Sequence, residues 1–400
     1  MDQNGLFEVA LQLSKEWRVV SSEFSGEPPK LGIKLDFKEG THFCCPECEV
    51  KSPVHDTVEK KWRHLNFWQY ETILGARVPR IRCEKCGVKQ IDVPWARKGS
   101  GFTLMFEAFA MILMKESPVS KVAEILKETD HRLWRVLIHY VNEAHAKRDW
   151  SESRMILIDE TSAKKGHRYV TSFLDANTGE LLLMVEGRSN QAVVEFCAQM
   201  RLHGSEPEKV EWAGIDMSPA FIKGVRECFP QAQVVFDRFH VMQMAGKMVD
   251  EIRKAIHRQN SLVQGARWAV LGNEWNLSDE QREIRQDLCK LYPILAKALE
   301  IRDRLQDAYD QKSEELLQWW YRSASRCKHP QIKKLAKTIK EHWQGIIGFF
   351  QTNLTNGKIE AINGIIQMAK RCARGFRNFE YFKAISYLKC SKLQLNLPAL

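Results

Sequence analysis

Two apolar runs in the middle of the chain stop on an aspartate: WAGI at Asp216 and QVVF at Asp237. A third run, MILI, leads into Asp159. A hydrophobic strand that ends on a carboxylate delivers that group to the rim of a sheet. Phosphoryl transfer assisted by two divalent metals needs two or three carboxylates in one place, holding ions about 4 Å apart. Magnesium takes few carboxylates and keeps several waters, so such a site is sparse. The stretch TNGKIEAINGIIQMAKRCARGF offers a further acid. Ile359, Ile362, Ile366 and Ala369 make an apolar stripe, and Glu360, Asn363, Gln367, Lys370 and Arg374 make a polar one. A carboxylate beside amide and basic groups suits a metal next to a phosphate backbone. The plainer reading is an exposed helix face. Asp237 opens DRFH, and one helical turn brings His240 near it. That pair either supports the metal site from behind or is a satisfied buried pair. Glu160 points to the other face if its strand continues, and is left out of the site.

These acids need elements that bring them together. From Met155 the chain reads as strands RMILIDE, HRYVTSFLD and ELLLMVEG, the last two joined by the turn DANTG. A helix over about 190–202, strand VEWAGID, helix 219–228 and strand AQVVFD follow. This is the element order of a ribonuclease H-like fold, in which the first and fourth strands lie side by side. Asp159 and Asp216 then meet, and Asp237 lies one strand further out. From His240 to about Phe350 the pattern is long amphipathic helix. Its tryptophans (Trp268, Trp275, Trp319, Trp320, Trp343) are expected to pack a bundle. The last helix begins near Lys358 and runs into a basic tail, with Lys370, Arg371, Arg374, Arg377, Lys383, Lys389 and Lys392 against Glu380. That asymmetry suits a DNA backbone, or a solvated face.

Cys45-Pro-Glu-Cys48 and Cys83-Glu-Lys-Cys86 are two C-x-x-C knuckles. Each supplies two thiolates from one tight turn, and zinc takes four in a tetrahedron. Cys44 is a possible substitute for Cys45, and His55 and His64 lie between the knuckles as competitors. The aromatic and basic insert between the pairs is expected to form strands. Residues 117–144 then have the size and patterning of a helix-turn-helix. Val119, Val122, Ala123 and Leu126 line one helix; Leu133, Val136, Leu137 and Tyr140 line the second, which offers His131, Arg132 and Arg135 to a groove. An ordinary helical hairpin is the alternative.

With 400 residues the chain exceeds one compact core, and its net charge of +10 favours a polyanionic partner. There is no basic-then-apolar leader, no membrane-length apolar run and no P-loop, so a cytoplasmic, nucleoid-associated protein using no nucleoside triphosphate is expected.

Together the segments FCCPEC, WRHLNFWQYETILGARVPRIRCEKCGV, VPWA, LIDETSAKKGHRYVT, GIDMSPAFIKGVRECFPQAQVVFDRFHV and TNGKIEAINGIIQMAKRCARGFRNFEYF resemble the DDE transposases of the bacterial ISL-three insertion-sequence family, over essentially the whole chain. The resemblance implies a multidomain α+β protein: a zinc-binding region (1–98), a helix-turn-helix (99–150), a ribonuclease H-like core (151–240), an all-helical insertion (241–350) and a last catalytic helix with a basic tail (351–400). It implies catalytic acids Asp159, Asp216 and Glu360 holding Mg²⁺ or Mn²⁺, supported by Asp237, His240 and Asn363. From the residues themselves, Zn²⁺ is expected at Cys45, Cys48, Cys83 and Cys86, and DNA contacts at Arg132, Arg135, Lys370, Arg374 and Arg377. The expected activity is cleavage and strand transfer at terminal inverted repeats in double-stranded DNA, by a dimer or larger assembly. A non-catalytic DNA-binding regulator, an inactivated transposase and a nuclease of the same fold stay open as alternatives.

Overall fold

The structure is a computed structural model that describes residues 3–164, 166–259 and 265–399. The chain forms two compact units, residues 3–144 with 393–399, and His145–Lys392.

In the first unit, helix α1 (Gln3–Ala10) precedes strands β1 (Trp17–Ser25) and β2 (Lys30–Phe37). Their apolar residues alternate, so Trp17, Val19, Leu31, Ile33 and Leu35 all face inward. A short ribbon of β3 (Phe43–Cys44) and β4 (Lys51–Ser52) carries the first knuckle. The insert between the knuckles forms β5 (Val54–Arg63) and β6 (Glu71–Cys83), and β7 (Gly87–Gln90) follows the second knuckle. This is more than a ribbon. β6 pairs in parallel with β2, giving a sheet of order β1-β2-β6-β5 with β7 also on β6. Helices α2 (Leu104–Glu116), α3 (Val119–Leu126) and α4 (Asp130–Ala146) complete the unit. Every residue expected on the inner faces of α3 and α4 is buried. Glu107, which interrupts the apolar run of α2, is fully buried. It accepts from Ser100 Oγ at 2.6 Å, Arg97 Nε at 2.9 Å and Tyr140 Oη at 2.6 Å, tying α2 to α4.

In the second unit, β8 (Met155–Lys164), β9 (Arg168–Asp175) and β10 (Leu181–Glu186) form an antiparallel meander. Strands β11 (Trp212–Ile215) and β12 (Gln233–Phe236) add in parallel on the other side of β8. The order β10-β9-β8-β11-β12 is the ribonuclease H-like order. Helices α5 (Asn190–Leu202) and α6 (Pro219–Cys228) bury one face around Phe173, Phe196, Phe221 and Phe229.

The insertion is all-helical among the described residues: α7 (Arg238–Gln259), α8 (Arg267–Leu271), α9 (Asp279–Leu291), α10 (Pro293–Asp310), α11 (Glu314–Arg326), α12 (Pro330–Glu341) and α13 (Trp343–Thr352). Its tryptophans only partly meet the bundle expectation. Trp320 is buried and donates to Ile301 O at 2.7 Å, whereas Trp268, Trp275 and Trp319 are at least 65% exposed. Helix α14 (Gly357–Cys372) lies on β8 and β9. The tail does not continue as an open basic track. Residues Phe379–Cys390 form a further helix, α15, whose Phe382, Ile385, Tyr387 and Leu388 are buried. Tyr387 Oη accepts from Met184 N on β10 at 3.2 Å. No helix of the described residues is long and apolar enough to cross a membrane.

Candidate active site and metal centres

Strands β8, β11 and β12 run parallel, and their register aligns Leu157 with Gly214 and Gly214 with Val235. Carried two residues on, the register places Asp159, Asp216 and Asp237 in one row across three neighbouring strands. Side chains alternate along a strand. Ile158 and Ile215 belong to the core under α5 and α6, so the aspartates take the opposite face. Neighbouring strands lie about 4.8 Å apart, which makes Asp216 the direct neighbour of Asp159 and sets Asp237 one strand further away. Burial pushes the Asp159 carboxyl up to about 6, and the negative charge of Asp216 adds to the rise. A backbone hydrogen bond from Glu160, the charge of His240 and the amide of Asn363 oppose it. A cation at this pair would relieve both causes of the rise.

Helix α14 docks on this row by side-chain hydrogen bonds. Asn363 Nδ2 donates to Asp159 Oδ2 at 2.9 Å, and Ser172 Oγ donates to Asn363 Oδ1 at 3.2 Å. One turn on, Gln367 Nε2 donates to Thr161 Oγ1 and to Ser162 O, each at 2.8 Å. Lys370 Nζ reaches Ser162 O as well. The polar stripe is therefore a contact surface from Asn363 to Lys370 rather than a solvated face. Glu360 lies one turn before Asn363 and is exposed. Among the described residues, Asp159, Asp216 and Glu360 do not close into a cluster with all ligand oxygens within 4.8 Å.

Asp237 is buried, and burial raises its pKa. The charge of His240 and backbone hydrogen bonds from Phe239, Asn356 and Arg238 favour its ionised form. It thus caps the start of α7 and holds the residue that precedes α14. Around it, the side-chain atoms of Asn356, Nδ1 of His240 and the hydroxyl of Tyr309 are buried with no hydrogen-bond partner among the described residues. Sequence reasoning missed Tyr309 and gave Asn356 no role in the site. An Asn-Gly at a helix start is a readable capping signal; Tyr309 carries none.

The Sγ atoms of Cys45, Cys48, Cys83 and Cys86 all lie within 4.8 Å of one another. Cys48 and Cys83 are 3.5 Å apart, close to the ~3.8 Å edge of a tetrahedron with zinc–sulfur bonds of about 2.3 Å. Four soft thiolates of this geometry fit zinc. Cys44 and His55 are exposed and lie outside the cluster. His64 is held elsewhere, its Nδ1 2.8 Å from Thr103 Oγ1, and burial lowers its pKa to about 4.

On α4, His131 and Arg135 are exposed. Arg132 is engaged by its own unit: it pairs with Glu128 and lies 4.0 Å over the ring of Phe102. Arg374 and Arg377 are exposed beyond α14.

Comparison with known proteins bears on this layout. A family model described as "Transposase", for the DDE domain of ISL3 elements, matches residues 156–386, more than half of the chain. The chain belongs to the ISL3 transposase family. The model for the helix-turn-helix domain of transposase family ISL3 matches residues 91–141. That for the zinc-finger of transposase IS204/IS1001/IS1096/IS1165 matches residues 41–86. The chain is 27% identical to the transposase for insertion sequence element IS1001 of Bordetella parapertussis, over 84% of this chain and 86% of that protein. It is 25% identical to the transposase for insertion sequence element IS1557 of Mycobacterium tuberculosis, over 98% of this chain and 97% of that protein. This is a DDE-type transposase with a zinc ribbon and a DNA-binding helix-turn-helix, and its family uses divalent metal.

Proposed function

We propose that this transposase cuts at the terminal inverted repeats of its own element and joins the freed 3′-hydroxyl to target DNA. The observation that carries this reading is the row of Asp159 and Asp216 with α14 pinned to it through Asn363. Asp159, Asp216 and Glu360 would hold the metal, Mg²⁺ or Mn²⁺; their hard oxygen donors suit either ion. A divalent cation bound there would supply activation of water or a 3′-hydroxyl and stabilisation of the leaving 3′-oxygen. The chain's own task is placement. Asn363 and the Glu160 N–H each bond one oxygen of Asp159, which fixes the carboxylate and leaves acceptor capacity on both oxygens. Asp237 anchors the loop before α14, and His240 contributes charge to both Asp159 and Asp237.

The zinc region and the helix-turn-helix recognise the ends, with Arg135 reaching bases and Arg132 bracing the helix that carries it. Lys370, Arg374 and Arg377 line the phosphate track. Two ends must be joined in one event, so the active form is a homodimer or larger on DNA, in the bacterial cytoplasm at the nucleoid. Working domain boundaries fall near residues 98, 150, 240 and 350.

A strand-transfer assay tests the reading. Labelled end duplex and supercoiled target are incubated with the transposase and magnesium or manganese. Joined product is expected from the wild type and none from Glu360→Gln at equal DNA occupancy. Joining by Glu360→Gln at the wild-type rate removes this acid from the site.

A further inference from the structure

A second feature lies on the same unit, beyond the end of the acid row. At the end of β8, a cavity of 240 Å³ opens between the facing ends of β8 and β9 and the α14–α15 connection. Tyr169, Phe376, Phe379 and Phe382 line it together with Lys164, His167, Arg168 and one acid, Glu186. The strand positions this mouth: Ala163 and Lys164 are four and five residues beyond Asp159, or roughly 13–17 Å at ~3.3 Å per residue. The connection is tied to the strand end, because Lys164 Nζ donates to Arg377 O at 2.9 Å. Phe376 and Phe382 stack at 5.2 Å and make one rigid wall. Arg188 lies 4.4 Å over the Tyr169 ring without lining the cavity, so the remainder of that ring is left for an occupant.

The lining combines flat aromatic surface with two cations, Lys164 and Arg168, which outnumber its one acid, Glu186. Such a combination takes a ring that stacks and is attached to an anion. Base–aromatic stacking with backbone cations is how proteins hold unpaired nucleotides. The volume falls below the roughly 300 Å³ floor for whole drug-sized ligands, so it suits one ring system rather than a nucleotide or a peptide segment.

We propose that this cavity receives one nucleobase of the element-end DNA, turned out of the duplex while its flanking phosphates run along Lys164, Arg168 and Arg188. The inference rests on the proposed end-cleavage function. It commits to a place: at about 3.4 Å per base step, the extruded base lies roughly three to six nucleotides from the scissile phosphate. Turning out a base costs unstacking, and an aromatic pocket recovers part of that cost. Extrusion would hold the end in one register over the acids.

The test uses the full-length zinc-loaded transposase and its own end duplex, with 2-aminopurine walked through the terminal positions. Anisotropy reports binding separately from 2-aminopurine emission, which reports unstacking. With wild type, one position within the stated range should change emission on binding. Tyr169→Ala should weaken end binding by about 5- to 150-fold, the range for a lost base stack. Ala163→Trp fills the cavity and should abolish the emission change at saturating protein, and melting curves confirm that both variants fold. A saturated wild-type complex in which no position responds overturns the proposal. So does a response that survives Ala163→Trp unchanged. Failure of the duplex to bind at all removes the function on which the proposal rests, and the proposal with it.

Discussion

At the scale of single residues, the proposed site is a set of carboxylates held at some cost to the fold. Asp159 sits half-buried beside a like charge, and its carboxyl is raised to about 6. Its ordinary value is about 3.9, so the native state binds this proton more tightly than the unfolded chain. The stability that proton contributes is present below about 4 and is lost as pH rises through 6. Asp159→Asn should therefore raise the melting temperature at pH 7.5 by roughly 2–4 °C, the shift that about 1 kcal/mol gives a unit of this size. The gain should shrink toward zero at pH 4.5. Thermal denaturation at the two pH values checks it, and an equal gain at both would mean that the charge is not the cause. At the cysteines, Cys44→Ser should keep one zinc per chain by metal analysis, because its thiol lies outside the cluster. Cys45→Ser should lose the zinc and unfold the ribbon, since structural zinc sites supply folding energy outright.

At the scale of elements, the site depends on how closely α13 and α14 approach the sheet. A Cβ on Gly345 would meet the ring of Phe236 on β12, and one on Gly214 of β11 would stand 3.2 Å from Leu354 Cδ2 in the α13–α14 connection. Gly345→Ala should destabilise the second unit by about 1–3 kcal/mol, the usual range for overpacking. It should also lower cleavage by shifting α14, and denaturant melts with cleavage rates on the same preparations would show both. Much of this architecture was legible beforehand. The helices at 190–202 and 219–228 match α5 and α6, because each carries a clean 3.6-residue stripe between turn signals. The strand order followed from hairpin turns and from helices between parallel strands. The last helix, α15, was not legible, because its lysines outnumber its acids and hide a buried face of Phe382, Ile385, Tyr387 and Leu388. The burial of Glu107 is hidden for a similar reason: its partners Arg97 and Tyr140 are 10 and 33 residues away. A sequence window cannot show that such a charge is satisfied.

At the scale of the whole molecule, the transposase carries DNA-binding modules and one proposed set of acids, and local signals told only part of how that set is chosen. Two apolar strands ending on aspartates look alike in sequence. Strand order and register separate them: Asp216 neighbours Asp159, whereas Asp237 is buried and committed to backbone groups at the starts of α7 and α14. Sequence could not show that Glu360 is exposed while Asn363, one turn later, touches Asp159. The measurement that tests this assignment most directly is cleavage of a labelled end duplex in magnesium or manganese. Wild type, Asp216→Asn and Asp237→Asn are compared at equal DNA occupancy. Cleavage should vanish with Asp216→Asn, by about 10³-fold or more as for loss of a group that binds the metal. It should only weaken with Asp237→Asn. Normal cutting by Asp216→Asn together with a dead Asp237→Asn would contradict the account and move the metal site one strand toward the sheet edge.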